Sequence, residues 1–134
     1  MNKKLVAVIN KDLNSGVAMN ALAHAAFSLG SQLDQAEAFL HLNSDASGNH
    51  WAMSGMPFII LRANALQIKK TFLQAKAANI THVAFVDSMT GGDYIEQIEK
   101  ISQKGEEDHC YYAVILWGEV SALNALTKKF SIYR

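Results

Sequence analysis

One cysteine and one proline in 134 residues are the scarcest features of this chain. Cys110 alone cannot close an internal disulfide, which excludes a small scaffold held by disulfides. With Pro57 as the single proline there is no proline-rich linker, and no internal repeat or low-complexity segment interrupts the chain. Charge of one sign is also missing. Lys and Arg number 12, as do Asp and Glu, so no global positive field draws in nucleic acid or an anionic membrane. That balance makes tRNA a possible but unfavoured partner. No apolar run approaches the roughly 20 residues needed to cross a bilayer. After Met1-Asn2-Lys3-Lys4 the apolar residues are too few, before Lys11, for the core of a signal peptide, and the expected location is the cytoplasm. What the chain does have is apolar content: 50% of residues are hydrophobic and 18% charged, enough for a packed core in one domain spanning residues 1–134.

Strand and helix patterns alternate. Leu5 to Ile9 reads as a strand buried on both faces, and the polar turn Asn10 to Gly16 opens into a helix over Val17 to Leu33. In that helix Met19, Leu22, Ala26, Leu29 and Leu33 form the expected core stripe, while Ala18, Ala21 and Ala25 make a narrow seam that lets the backbone approach a sheet. Glu37 to Asn43 alternates and then meets turn residues, which predicts a half-exposed strand entering a hairpin. Phe58 to Leu61 is a second buried strand after Pro57, and Asn64 to Asn79 a second helix. Val83 to Val86 is a third buried strand. A helix from Asp93 carries Ile95, Ile98 and Ile101 towards Gly105, Tyr111 to Trp117 is the last strand, and Val120 to Leu126 a short helix before the tail Phe130 to Arg134. The order predicts an α/β fold, a three-layer α/β/α sandwich with a mixed, mainly parallel sheet.

Ligands in such sheets sit beyond the carboxyl ends of the strands, where backbone N–H groups at a helix start also point. Asn10 and Asp12 leave the first strand there. Asp87 leaves the third, and if the two strands are parallel these residues share one sheet edge. Asp87 could orient a water or a substrate amine, or could simply start a turn and cap the next helix. Asn14, Ser15 and Gly16 are sufficient to cap the first helix, with anion binding as a secondary use. Asn20 and His24 share a helix face with Val17, a face that could wall a cleft, although a half-buried histidine held by a carbonyl is the more ordinary reading of His24. The remaining histidines lack ligand spacing, and Cys110 beside His109 is too little for zinc, so no metal is expected. No glycine-rich phosphate fingerprint is present, and no cofactor is expected.

The segment Val6-Ala7-Val8-Ile9-Asn10-Lys11-Asp12-Leu13, then Gly16 and Ala23-His24-Ala25-Ala26, resembles the opening of the type 2 peptidyl-tRNA hydrolases. Val86-Asp87 and Trp117-Gly118 fall where those enzymes end their own strands. A closer resemblance, through Ile9-Asn10, Gly16, Met19-Asn20-Ala21 and His24-Ala25-Ala26, is to a mostly bacterial family catalogued as domain of unknown function 2000, similar in fold to those hydrolases. The resemblance implies a type 2 peptidyl-tRNA hydrolase-like fold with Asp87 as the retained functional carboxylate and Thr90 as a nearby hydroxyl. It also implies that the hydrolase lysine after the glycine is replaced by Val17, and the hydrolase glutamine by Ala21, with Asn20 one position earlier.

Three functions follow as expectations. The favoured one is binding of a small polar ligand or protein partner in a cleft bordered by Asn10, Asp12, Asn14, Gly16, Asn20 and His24, with Asp87 opposite. The second is an ester hydrolase acting on peptidyl-tRNA, with Asp87 positioning water, Thr90 holding substrate and N–H groups near Gly16 receiving the oxyanion. The third is a homo-oligomeric module, most simply a homodimer, using apolar surface on the hairpin or the last strand.

Overall fold

The computed structural model describes residues 2–134. Its centre is β1, Lys3–Asn10, whose side chains alternate between two cores: Val6 and Val8 join one apolar cluster, Ala7 and Ile9 the other. This is the period-two pattern of a strand covered on both faces, and it explains the unbroken apolar run. Beside β1 lie β4, Phe58–Ala63, running parallel to it, and β6, Tyr111–Glu119, running antiparallel. β5, Thr81–Val86, pairs antiparallel with β6 at one end of the sheet, and the two-residue β7, Ser131–Ile132, pairs antiparallel with β4 at the other. The order is β5-β6-β1-β4-β7.

The sheet is mixed, but the expectation that it is mainly parallel is corrected: β1 with β4 is the parallel pairing, and the other three are antiparallel. The reason lies in the connection between β5 and β6. It carries α3, Tyr94–Ser102, a helix with no buried residue, which does not cross a sheet face as a parallel connection requires. The chain therefore turns back and runs beside β5 in the opposite direction. Because β1 and β5 are both antiparallel to β6, they still point the same way, and their carboxyl ends lie at one edge.

One face is covered by α1, Ser15–Gly30, and the other by α2, Ala65–Ala77, with α4, Val120–Thr127. Both sides of the sheet are thus packed. In α1 the buried residues are Ala18, Ala21, Ala25 and Leu29, so the alanine seam meets the sheet together with Leu29, the one fully buried member of the expected stripe; Met19 is 65% exposed. Small side chains let the helix sit close, and that leaves Leu22 and Ala26 partly buried on the flank. α2 buries Ile68, Thr71 and Ala75, and Asn64 and Gln67 close its start in a reciprocal capping box.

Between α1 and β4 the chain projects a separate ribbon, β2, Leu40–Ser44, paired with β3, His50–Ser54. Every strand residue in it is exposed, beyond the half-exposed strand expected. Its base depends on Gly55, where a Cβ would stand 2.8 Å from the Phe39 ring, and its turn on Gly48 at φ 83°.

Candidate functional site

The opening turn is held from within. Asn10 is 4% exposed; its Nδ2 donates to the Tyr111 carbonyl at 3.1 Å, and its Oδ1 accepts the Asp12 N–H at 2.9 Å. Both ends of the amide therefore serve the fold, tying the exit of β1 to the start of β6. Asn14 is the N-cap of α1, with Oδ1 accepting the Val17 N–H at 3.0 Å. Gly16 lies inside the helix, and a Cβ there would meet only the Asn14 carboxamide oxygen at 3.6 Å, an ordinary contact. Asp12, Asn14, Gly16 and Asn20 all lie on the surface.

Asp87 is held at the same edge by the residue just before β6. Its Oδ1 accepts the Cys110 N–H at 3.1 Å and its Oδ2 the Lys104 ammonium at 3.2 Å. Cys110 and Tyr111 are consecutive, so the entry to β6 carries the ties to Asp87 and Asn10 side by side. The expected shared edge is therefore present. Burial works against ionisation of Asp87, but the Cys110 N–H and the Lys104 charge outweigh it and hold the carboxyl below its ordinary range. Asp87 also begins a single 3₁₀ turn, Asp87–Met89, and its carbonyl accepts both the Thr90 N–H at 3.1 Å and the Thr90 hydroxyl at 2.6 Å. This is the turn-starting geometry that short polar side chains favour. Lys104 has no signature in the sequence, because it reaches Asp87 from 17 residues further on, after α3.

A cleft of about 540 Å³ opens between α1, β5 and α3. Val83, Ala84, Phe85 and Met89 line it from the β5 side, His24, Ala25 and Ser28 from α1, and Tyr94, Gln97, Ile98 and Ile101 from α3. Of the expected site residues, His24 alone lines it, while Asp87 and Thr90 belong to the turn that carries Met89 into its wall. The His24 ring is stacked on Phe85 with centroids 5.8 Å apart. His24 is exposed, in contrast to the expected half-buried histidine held by a carbonyl, because the alanine seam turns its helix face outward. The isoleucines of α3 have the spacing of a core face, yet Ile98 is 47% exposed, since α3 stands off the sheet and leaves the cleft open.

On the other flank of α1, Ile9, Ala18, Leu22, Ile60 and Tyr133 line a smaller apolar recess of about 290 Å³. Among the described residues no group of three or more His, Cys, Asp or Glu side chains is arranged to hold a metal ion, and no helix is long and apolar enough to cross a membrane.

The model of a family described as a protein of unknown function, DUF2000, matches residues 3–134. No curated protein matches the sequence. The fold is similar to that of a solved protein of unknown function, Atu0240 from Agrobacterium tumefaciens strain C58, with a TM-score of 0.87 at 14% identity over 100% of this chain and 99% of that one. At that identity the likeness is one of fold.

Proposed function

Because the chain belongs to the DUF2000 family, we propose that it is a binding protein with a type 2 peptidyl-tRNA hydrolase-like fold, and that its ligand is a small molecule seated between α1, β5 and α3. The observation that carries this reading is the cleft itself: about 540 Å³, walled mainly by apolar side chains, with His24, Ser28 and Gln97 as a few polar groups. Volume and lining are those of small-molecule sites, and they favour an apolar body with one hydrogen-bonding end over the small polar ligand expected. A thermal-shift screen of such compounds tests it. A compound at 100 times its dissociation constant adds roughly 2.7 kcal/mol, a rise of about 10 °C for a domain of this size. Ser28→Trp, at an exposed helix position on the cleft wall, is expected to fold normally and lose that rise.

The Asp87–Lys104 pair favours a second reading, in which the same sheet edge hydrolyses peptidyl-tRNA or a related ester. Asp87 would position the water, Thr90 would hold substrate, and Lys104 would supply the ammonium that Val17 cannot. Purified protein should then release peptide from peptidyl-tRNA, and inactivity removes this reading.

Self-association belongs to the same proposal. A two-stranded ribbon is marginal in water by itself, and this one exposes Leu42, Trp51 and Met53, so a second copy covering it would make the protein a homodimer. Sedimentation should give twice the chain mass, and Leu42→Asp should return it to the monomer.

A further inference from the structure

We propose that the chain has a second, separate site, at the β1/β4/β7 corner of the sheet, that takes the phosphate group of a small phosphate monoester. A cleft of about 300 Å³ there is lined by Lys11, Arg62 and Lys129, with Gln67 and Ser131 between them and no carboxylate in its walls. It shares no residue with the cleft against α3.

Three chain-distant cations meet because of strand register. β1 and β4 are parallel with Ile9 opposite Arg62 and Asn10 opposite Ala63, so Lys11 emerges just past Arg62, and its N–H is fixed to the Ala63 carbonyl at 2.9 Å. β7 is antiparallel to β4 with Ser131 opposite Arg62, which brings Lys129 to the same corner. Arg62 is exposed between buried Leu61 and Ala63, and the alternation of β4 sets its side chain on the sheet face opposite theirs. The Lys129 ammonium stands 5.3 Å from the centre of the Phe130 ring.

The two ion pairs among the described residues are Lys76–Glu106 and Lys104–Asp87, and neither neutralises this cluster. Three like charges around one small cleft repel each other, and a dianion between them relieves that cost. Arg62 offers a planar fork for two phosphate oxygens, and the lysines act as point charges. Gln67 has its oxygen taken by the Asn64 N–H, which leaves its NH₂ end for an acceptor, and the start of α2 adds its partial positive charge. The compact cleft and balanced overall charge fit one phosphate group on a small molecule and not a polynucleotide track, which needs basic groups spread along a surface.

The test titrates the protein, at constant ionic strength, with inorganic phosphate, glycerol 3-phosphate and a single-stranded oligonucleotide, followed by amide chemical shifts. Saturable binding of the first two, with shifts at Lys11, Gln67 and Ser131, is expected. Arg62→Gln and Lys129→Gln should each weaken it about tenfold. Both positions are exposed, so the variants should melt with the parent. Absence of saturable phosphate binding, binding that both variants retain in full, or an oligonucleotide preferred over both small probes through these residues would overturn the proposal.

Discussion

Asn10→Ala is expected to destabilise the protein by about 2 to 4 kcal/mol, although the side chain removed is small and polar. The substitution strips the Tyr111 carbonyl and the Asp12 N–H of their partners at a position that is 4% exposed. Each buried group left without a partner costs about 1 to 3 kcal/mol. The Tyr111 carbonyl bears the larger part, because Tyr111 is buried while Asp12 reaches water. Asn10→Asp should be as damaging, since it sets a carboxylate against the Tyr111 carbonyl that now receives an amide proton. Urea unfolding measures both: the midpoint falls while the slope stays near that of the parent. A loss below about 0.5 kcal/mol, the scale of an ordinary surface change, would show that the tie from β1 to β6 does not hold the edge.

The second large effect is at Asp87. Asp87→Ala removes a charge-assisted bond to the Cys110 N–H and the partner of Lys104, and hydrogen bonds to charged groups contribute about 1.5 to 3 kcal/mol. The effect depends on pH in a definite sense. The folded carboxyl titrates below its unfolded value, so its contribution is complete above the unfolded pKa of about 3.9 and disappears as pH falls through the folded one. At pH 7 the parent should therefore exceed Asp87→Ala by about 1.5 to 3 kcal/mol, and the gap should narrow below about pH 4. A gap unchanged from pH 7 to pH 2 would mean that the carboxylate charge contributes nothing. Asp87→Asn separates the two uses of this residue. It can still accept the Cys110 N–H and should keep part of the stability, whereas a water-positioning carboxylate would lose its activity in the same variant.

Much of this architecture is legible in the residues. The apolar run of β1, the strand after Pro57 and the helix that follows it have local causes, and local causes show in local sequence. The direction of β6 does not, because strand polarity is set by whether α3 crosses the sheet, and nothing in Tyr111 to Trp117 records that. The α1 stripe misleads for a related reason. Met19 and Leu22 are the more hydrophobic residues, but Ala18, Ala21 and Ala25 allow the closer approach, and close approach decides which face is buried.

At the candidate site, the shared edge of Asn10 and Asp87 follows from strand direction and is readable once the two strands are taken as parallel. Lys104 on Asp87 and Lys129 beside Arg62 are not readable. Each depends on how a distant loop returns to the sheet. Asn10 illustrates the converse: its residue type and place suggest a ligand contact, yet its amide is engaged in the fold.

The central claim is that a small molecule occupies the space between α1, β5 and α3, and a map of backbone amide shifts with the strongest compound from the thermal screen tests it most directly. Saturating shifts should cluster at His24, Ser28, Phe85, Met89, Gln97 and Ile98, the residues around that space, and should vanish in Ser28→Trp. Shifts confined to Lys11 through Gly16, or retained in full by Ser28→Trp, would contradict it.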